Sequence, residues 1–148
     1  MAVQLRAAFQ DEGKQGLKER GEMMNRTRKK GIDYLVKTFP RDDHSLIAVS
    51  RRFRKEESWT GKSAWWFDLP IKTIKENKGD DYHLLGERGK SGFVILKVPN
   101  KFLIENLKAF ETRYKGSIRL HITAEGPSLL MDERGPGHVN FSSFEQNR

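Results

Sequence analysis

Arg51, Arg52, Arg54 and Lys55 surround Phe53, so four cations and one aromatic ring occupy five consecutive residues. A guanidinium fork holds phosphate through two parallel hydrogen bonds, and its flat face stacks on rings and bases. A second run, Arg26, Arg28, Lys29 and Lys30, adds four cations upstream. Trp59, Trp65 and Trp66 fall within eight residues, with Lys62 among them, and Arg88 and Lys90 flank Gly89. Cations interleaved with aromatics form the pattern of a surface that grips a phosphate backbone and stacks bases. The expected contact residues are therefore Arg26, Arg28, Lys29, Lys30, Arg51, Arg52, Arg54, Lys55, Trp59, Lys62, Trp66, Arg88 and Lys90. A charge run also describes an ordinary solvated face, and a tryptophan cluster an ordinary core, so both readings stay open here.

The charge distribution favours a basic face over diffuse charge. The 148 residues carry 28 Lys and Arg against 20 Asp and Glu, a net +8. Residues 14–62 hold 14 basic and 7 acidic residues (+7), whereas residues 63–148 hold 13 and 11 (+2). The absence of cysteine excludes a disulfide framework, a thiol nucleophile and cysteine-ligated zinc or iron–sulfur centres. His44, His83, His121 and His138 are scattered, with no i, i+4 pair of the metalloprotease kind. Gly86, Gly89 and Gly92 form no dinucleotide or Walker fingerprint, no Gly-x-Ser-x-Gly elbow occurs, and Asp42-Asp43 and Asp80-Asp81 suit turns. Arg6, Asp11 and Glu12 break up the first dozen residues, and no apolar run reaches the roughly 18 residues of a membrane span. A soluble, cytoplasmic protein is expected.

These residues must be positioned by a small set of elements. Leu17, Met24, Ile32, Leu35, Val36 and Phe39 predict a helix over about 17–38, ended by Pro40, with a break expected near Gly21 or Gly31. Alternation predicts strands over 44–55 and 64–70, a helical turn or loop over 71–81, and a hairpin of 82–87 with 93–98. Leu103, Leu107, Phe110 and Tyr114 predict a helix from Asn100 to Gly116, followed by a strand at 118–123 and a short strand at 129–131. No internal repeat is evident. The expected fold is α+β: one domain over 1–131, a mixed or antiparallel sheet of about five to six strands with two main helices packed on it. Residues 132–148 are expected to be an irregular or partly disordered tail, with Phe141 and Phe144 available to dock.

Asp68 in Trp-Trp-Phe-Asp-Leu-Pro, Lys97 in Phe-Val-Ile-Leu-Lys-Val-Pro and the helix from Asn100 follow one another in an order that resembles the core of the PD-(D/E)XK nuclease superfamily. The resemblance implies a metal-dependent nuclease with Asp68 and Glu87 as ligands of a magnesium ion, Lys97 polarising the attack on phosphate, and Glu19 or Glu22 as further ligands. Two residues before Lys97, where that family places Glu, this chain has Ile95. The favoured function is a nucleic-acid-binding domain without a cofactor, with DNA ahead of RNA as partner and no membrane. The alternatives are the nuclease and a protein-interaction accessory module or homodimer.

Overall fold

A computed structural model describes residues 13–58, 60–89, 92–113 and 116–147, with the backbone alone given for 13–24 and 113. The elements run α1 (Gly13–Thr38), β1 (Ile47–Ser50), β2 (Ala64–Pro70), α2 (Ile71–Glu76), β3 (Asp81–Glu87), β4 (Phe93–Pro99) and α3 (Asn100–Glu105). A 3-10 turn at Leu107–Ala109 leads to β5 (Glu111–Arg113) and β6 (Ser117–Thr123), and a second lies at Ser142–Phe144.

The fold is mixed α+β, as the patterning implies, but the strands form two sheets rather than one. β1, β3 and β4 make the first, with β1 parallel to β3 and β3 antiparallel to β4. β2, β6 and β5 make the second, antiparallel throughout. The division arises where the expected strand over 44–55 stops at Ser50. Beyond it only Phe53 bridges Ala64, and the Ser50 hydroxyl accepts the Trp66 N–H at 2.9 Å. β1 and β2 are thus both edge strands, facing each other without a ladder. Between the sheets, Trp65, Phe67 and Leu69 of β2 and Ile118, Leu120 and Ile122 of β6 meet Tyr82, Leu84, Val94, Leu96 and Val98 in one apolar layer. Alternation puts Trp66, Asp68, Arg119 and His121 on the outer face of the second sheet.

α1 covers the other side of the first sheet. Leu35 packs with Tyr34 and Phe39 against Leu85, Phe93, Ile95, Ile47 and Val49. The stripe is Thr27, Gly31 and Leu35 rather than one through Val36, which is exposed. The helix passes unbroken through Gly21 and Gly31. A Cβ on Gly31 would stand 2.9 Å from Val49 Cγ1 and 3.3 Å from the Phe93 ring. The glycine therefore lets the helix approach the sheet, and that packing outweighs a propensity cost of about 1 kcal/mol.

A repeat does exist, contrary to the sequence expectation. Pro70 to Asn77 and Pro99 to Asn106 both read Pro-x-Lys-x-x-x-Glu-Asn. Each proline ends a strand in extended geometry and opens a six-residue helix. Each closing Asn donates its side-chain amide to a carbonyl four residues back, Thr73 or Phe102, at 2.8 Å. The apolar residue at the fourth helical position, Ile74 or Leu103, is fully buried in both. One unit carries the chain from the second sheet to the first, and the other carries it back.

The long helix expected from Asn100 stops at Glu105. Asn106 leaves helical geometry, Phe110 turns its side chain into the shared core in an extended conformation, and Glu111–Arg113 pairs with β6. Completing the second sheet outweighs the helical periodicity. In place of a strand at 129–131 there are isolated bridges from Ile122 to Asp132 and from Met131 to Asn140. Residues 132–147 hold one 3-10 turn, yet Phe141 is fully buried among Phe102, Phe110 and Phe144. The Asn147 side chain accepts the Ile95 N–H at 2.9 Å and donates to the Phe93 carbonyl at 2.6 Å, along the outer edge of β4.

These contacts set the expected stability of three variants. A methyl on Gly86 would lie 2.5 Å from the buried Trp65 ring, so Gly86→Ala is expected to lower stability by about 1–3 kcal/mol. Gly79→Ala, which meets nothing within 4 Å, should leave it nearly unchanged. Phe141→Ala should cost about 3–5 kcal/mol. Urea unfolding monitored by tryptophan fluorescence measures all three.

Candidate functional site

The gap between β1 and β2 opens into a groove of about 930 Å³. Its floor is Ile47 to Ser50 on one side and Trp66 to Asp68 on the other, with Tyr82 beneath and Asn25, Thr27 and Arg28 of α1 as a wall. Three arginines from distant segments line it: Arg28, Arg51 and Arg119. Burial raises the Tyr82 hydroxyl above its ordinary pKa, and the positive charge of Arg28 opposes that shift.

Both strands direct backbone N–H and C=O groups toward this groove. The Leu46 carbonyl accepts the His83 N–H at 2.9 Å. In a parallel ladder this directs Leu46, Ala48 and Ser50 toward β3, and Ile47 and Val49 outward. Arg28 Nη1 accordingly reaches the Ile47 carbonyl at 3.3 Å. On β2, Ala64 pairs outward with Phe53 and Trp66 outward with Ser50, so Asp68, two residues on, also directs its N–H and C=O into the groove.

Glu57 organises the arginines at the rim. Its carboxylate takes Arg51 Nη2 at 2.8 Å, Arg54 Nε at 3.4 Å and the Arg54 backbone N–H at 3.0 Å. The Arg51 hydrogen bond above all, then that from the Arg54 backbone, pulls the Glu57 carboxyl down to about 2. Arg51 also lies 4.0 Å from the Phe53 ring centroid. Its edge is therefore held by Glu57 and one face by Phe53. Arg54 is 79% exposed, Lys55 is exposed beside it, and Arg119 forms a two-pronged pair with Asp68 at 3.3 Å per contact.

The remaining expected contact residues are dispersed. Arg26, Lys29 and Lys30 are exposed on α1. Arg52 points away from the groove, donating to Ser63 Oγ at 2.8 Å and standing 3.8 Å from Glu125. Lys62 binds Ser128 and Glu133 at 3.0 and 3.1 Å, and Arg88 reaches the Asn147 carbonyl and Glu145. Trp59 and Lys90 lie outside the described residues. The Trp66 ring lines the groove but is crowded: the His121 ring centroid is at 4.6 Å, the Arg134 and Arg119 guanidinium carbons at 5.4 and 5.9 Å, and the Phe53 centroid at 6.0 Å. Behind it, fully buried Asp132 accepts backbone N–H groups from His121, Arg134 and Gly135. Burial pushes the Asp132 carboxyl up, and these three bonds pull it back. Burial also lowers the pKa of His121, whose Nε2 is 2.9 Å from Ser58 Oγ.

Asp68, Glu87 and Lys97 do not converge. Asp68 is paired with Arg119 on the outer face of the second sheet. Lys97 shares the α1 side of the first sheet with Asp42, at 3.5 Å, and Asp81, at 4.0 Å. It is in register with His83, four residues or about 13 Å along β3 from Glu87. These residues do not fit a two-carboxylate magnesium centre, and among the described residues no group of three or more His, Asp or Glu is placed to hold a metal ion. The side chains of Glu19 and Glu22 lie outside the description.

Arg119, Glu57 and Tyr82 are members of the site that residue patterning missed. Arg119 enters only through the register that sets it opposite Asp68, and Glu57 only through the turn over 54–57. No helix among the described residues is long and apolar enough to cross a membrane. No family model, curated protein or solved structure matches the chain.

The low Glu57 pKa gives a pH prediction. Because the folded value lies below the ordinary 4.5, the favourable contribution is fully present above pH 4.5 and disappears as pH falls toward 2. Hydrogen exchange at the Arg54 amide should stay slow at pH 5 and lose its protection, after correction for intrinsic rates, between pH 4.5 and 2. In Glu57→Gln that transition should be absent.

Proposed function

We propose that the protein binds nucleic acid through its phosphate backbone, at the groove between β1 and β2. The observation that carries this reading is the convergence of Arg28, Arg51 and Arg119 on one open groove, with Arg54 exposed on the Glu57 carboxylate that it shares with Arg51 and Lys55 exposed next to it in the chain. Arg54, Lys55 and the unengaged edge of Arg28 are the phosphate contacts. Arg119 joins them by exchanging Asp68 for a phosphate, because an exposed ion pair is worth only about 0.2–1 kcal/mol. The net charge of +8 draws a polyanion to the protein, and the groove arginines give it a place to bind. The reading requires no metal.

Binding of a labelled DNA oligonucleotide, followed by fluorescence anisotropy at several salt concentrations, tests it. Affinity should fall steeply with salt, with a log–log slope of about −0.7 per phosphate for a single strand and −0.9 for a duplex. Replacing Arg54 and Lys55 together by Ala should weaken binding and reduce the slope by about two phosphates' worth. Arg52→Ala, outside the groove, should change both much less. Affinity indifferent to salt and to the Arg54 and Lys55 replacements overturns the proposal.

A further inference from the structure

We infer that the groove between β1 and β2 takes an unpaired nucleobase, stacked on the face of the Arg51 guanidinium that Phe53 does not cover and met at its edge by the outward-directed backbone groups of Val49 and Asp68. The protein would then select single strands over duplexes. The inference rests on the nucleic-acid reading above and goes beyond it in assigning what enters the groove.

The state of Arg51 is the first support. Its hydrogen-bonding edge is occupied by Glu57 at 2.8 and 3.4 Å, and Phe53 covers one face at 4.0 Å. What remains is a flat, cationic surface, supported on one side by Phe53, that lines the groove. Guanidinium planes are a recurrent stacking partner for splayed bases. An arginine held in this way is better prepared to stack than to fork a phosphate, and being preorganised it loses little freedom on binding. Trp66, one of the two tryptophans suggested by the sequence, has its surroundings filled by His121, Arg119, Arg134 and Phe53; the other, Trp59, lies outside the described residues.

The backbone edges are the second support. Val49 and Asp68 each direct an N–H and a C=O into the groove, so donors and acceptors face whatever lies between the strands. A base edge carries matching acceptors and donors, and in a duplex those groups are already used by the complementary strand. At about 930 Å³, the groove falls within the roughly 300–1,000 Å³ of sites that enclose a small ligand. A duplex would leave it empty and touch only the rim. The same edges suit an added peptide strand, but the Arg51–Phe53 stack and the surplus of cations favour a base between phosphates.

The test uses the full chain with a short single-stranded oligonucleotide carrying one 2-aminopurine, the matching duplex, and poly-glutamate as an acidic extended peptide. Single strands should bind about tenfold more tightly than the duplex at equal salt, with quenching of 2-aminopurine fluorescence by stacking. Arg51→Lys keeps the charge and removes the plane. It should lose about tenfold in single-strand affinity, together with the quenching, while the salt slope is unchanged; its thermal unfolding checks that it folds. In the wild type, a trinucleotide should shift the Val49 and Asp68 amide resonances. Equal binding of duplex and single strand, with no quenching and no shift at Val49 or Asp68, overturns this inference and leaves the phosphate-binding reading standing. Binding of neither nucleic acid overturns both. Saturable poly-glutamate binding that shifts those two amides, without nucleic-acid binding, also overturns both and makes the groove a peptide site.

Discussion

Burial of the apolar layer between the two sheets is the interaction on which the rest of the structure depends. Trp65, Phe67 and Leu69 of β2 and Ile118, Leu120 and Ile122 of β6 are shielded by Leu84, Leu96 and Val98 of the first sheet, together with Ile74, Leu103, Phe110 and Phe141. β2, β3, β4 and β6 each carry two or three such residues, and neither three-stranded sheet could hide its inner face alone. At the margin of the layer, the edge strands β1 and β2 form no ladder with each other. Ser50 closes the narrow end by giving Trp66 a side-chain acceptor, and beyond it the margin widens into the groove.

The groove is thus a consequence of packing rather than a feature added to the surface. Its cations come from three segments that meet only because of the two-sheet arrangement: Arg28 from the helix on one sheet, Arg119 from the centre of the other, and Arg51 from the connection between them. Around Arg51 the local order comes from a carboxylate and a ring. Glu57 removes the freedom of the side chain, and Phe53 supports its plane.

The two strand–proline–helix–asparagine units give the layer its economy. Each needs one proline to end a strand, one buried residue to dock a short helix, and one asparagine to satisfy carbonyls at the helix end. They cross between the sheets in opposite directions and tie the two sheets together. The third tie is the C-terminal segment, where Phe141 fills the core and Asn147 satisfies backbone groups at the edge of β4.

The amino-acid sequence by itself determined the α+β class, the positions of β2, β3, β4 and β6, the helix ending before Pro40 and the concentration of cations in residues 14–62. Period-two alternation and proline punctuation are local, so they survive without tertiary information. It also contained the Pro-x-Lys-x-x-x-Glu-Asn repeat, which is too short to stand out until the two helices are seen to match. Only the tertiary structure decided that Gly31 is a packing position, that the periodic residues after Asn106 leave the helix, and that six strands divide into two sheets. Each of those depends on a partner far along the chain: Val49 for Gly31, β6 for Glu111 to Arg113, Trp66 for Ser50. The site follows the same division. The arginines were visible in composition, but which of them is spent on a carboxylate, which lies flat on a ring and which faces the groove depends on neighbours that one-dimensional spacing does not encode.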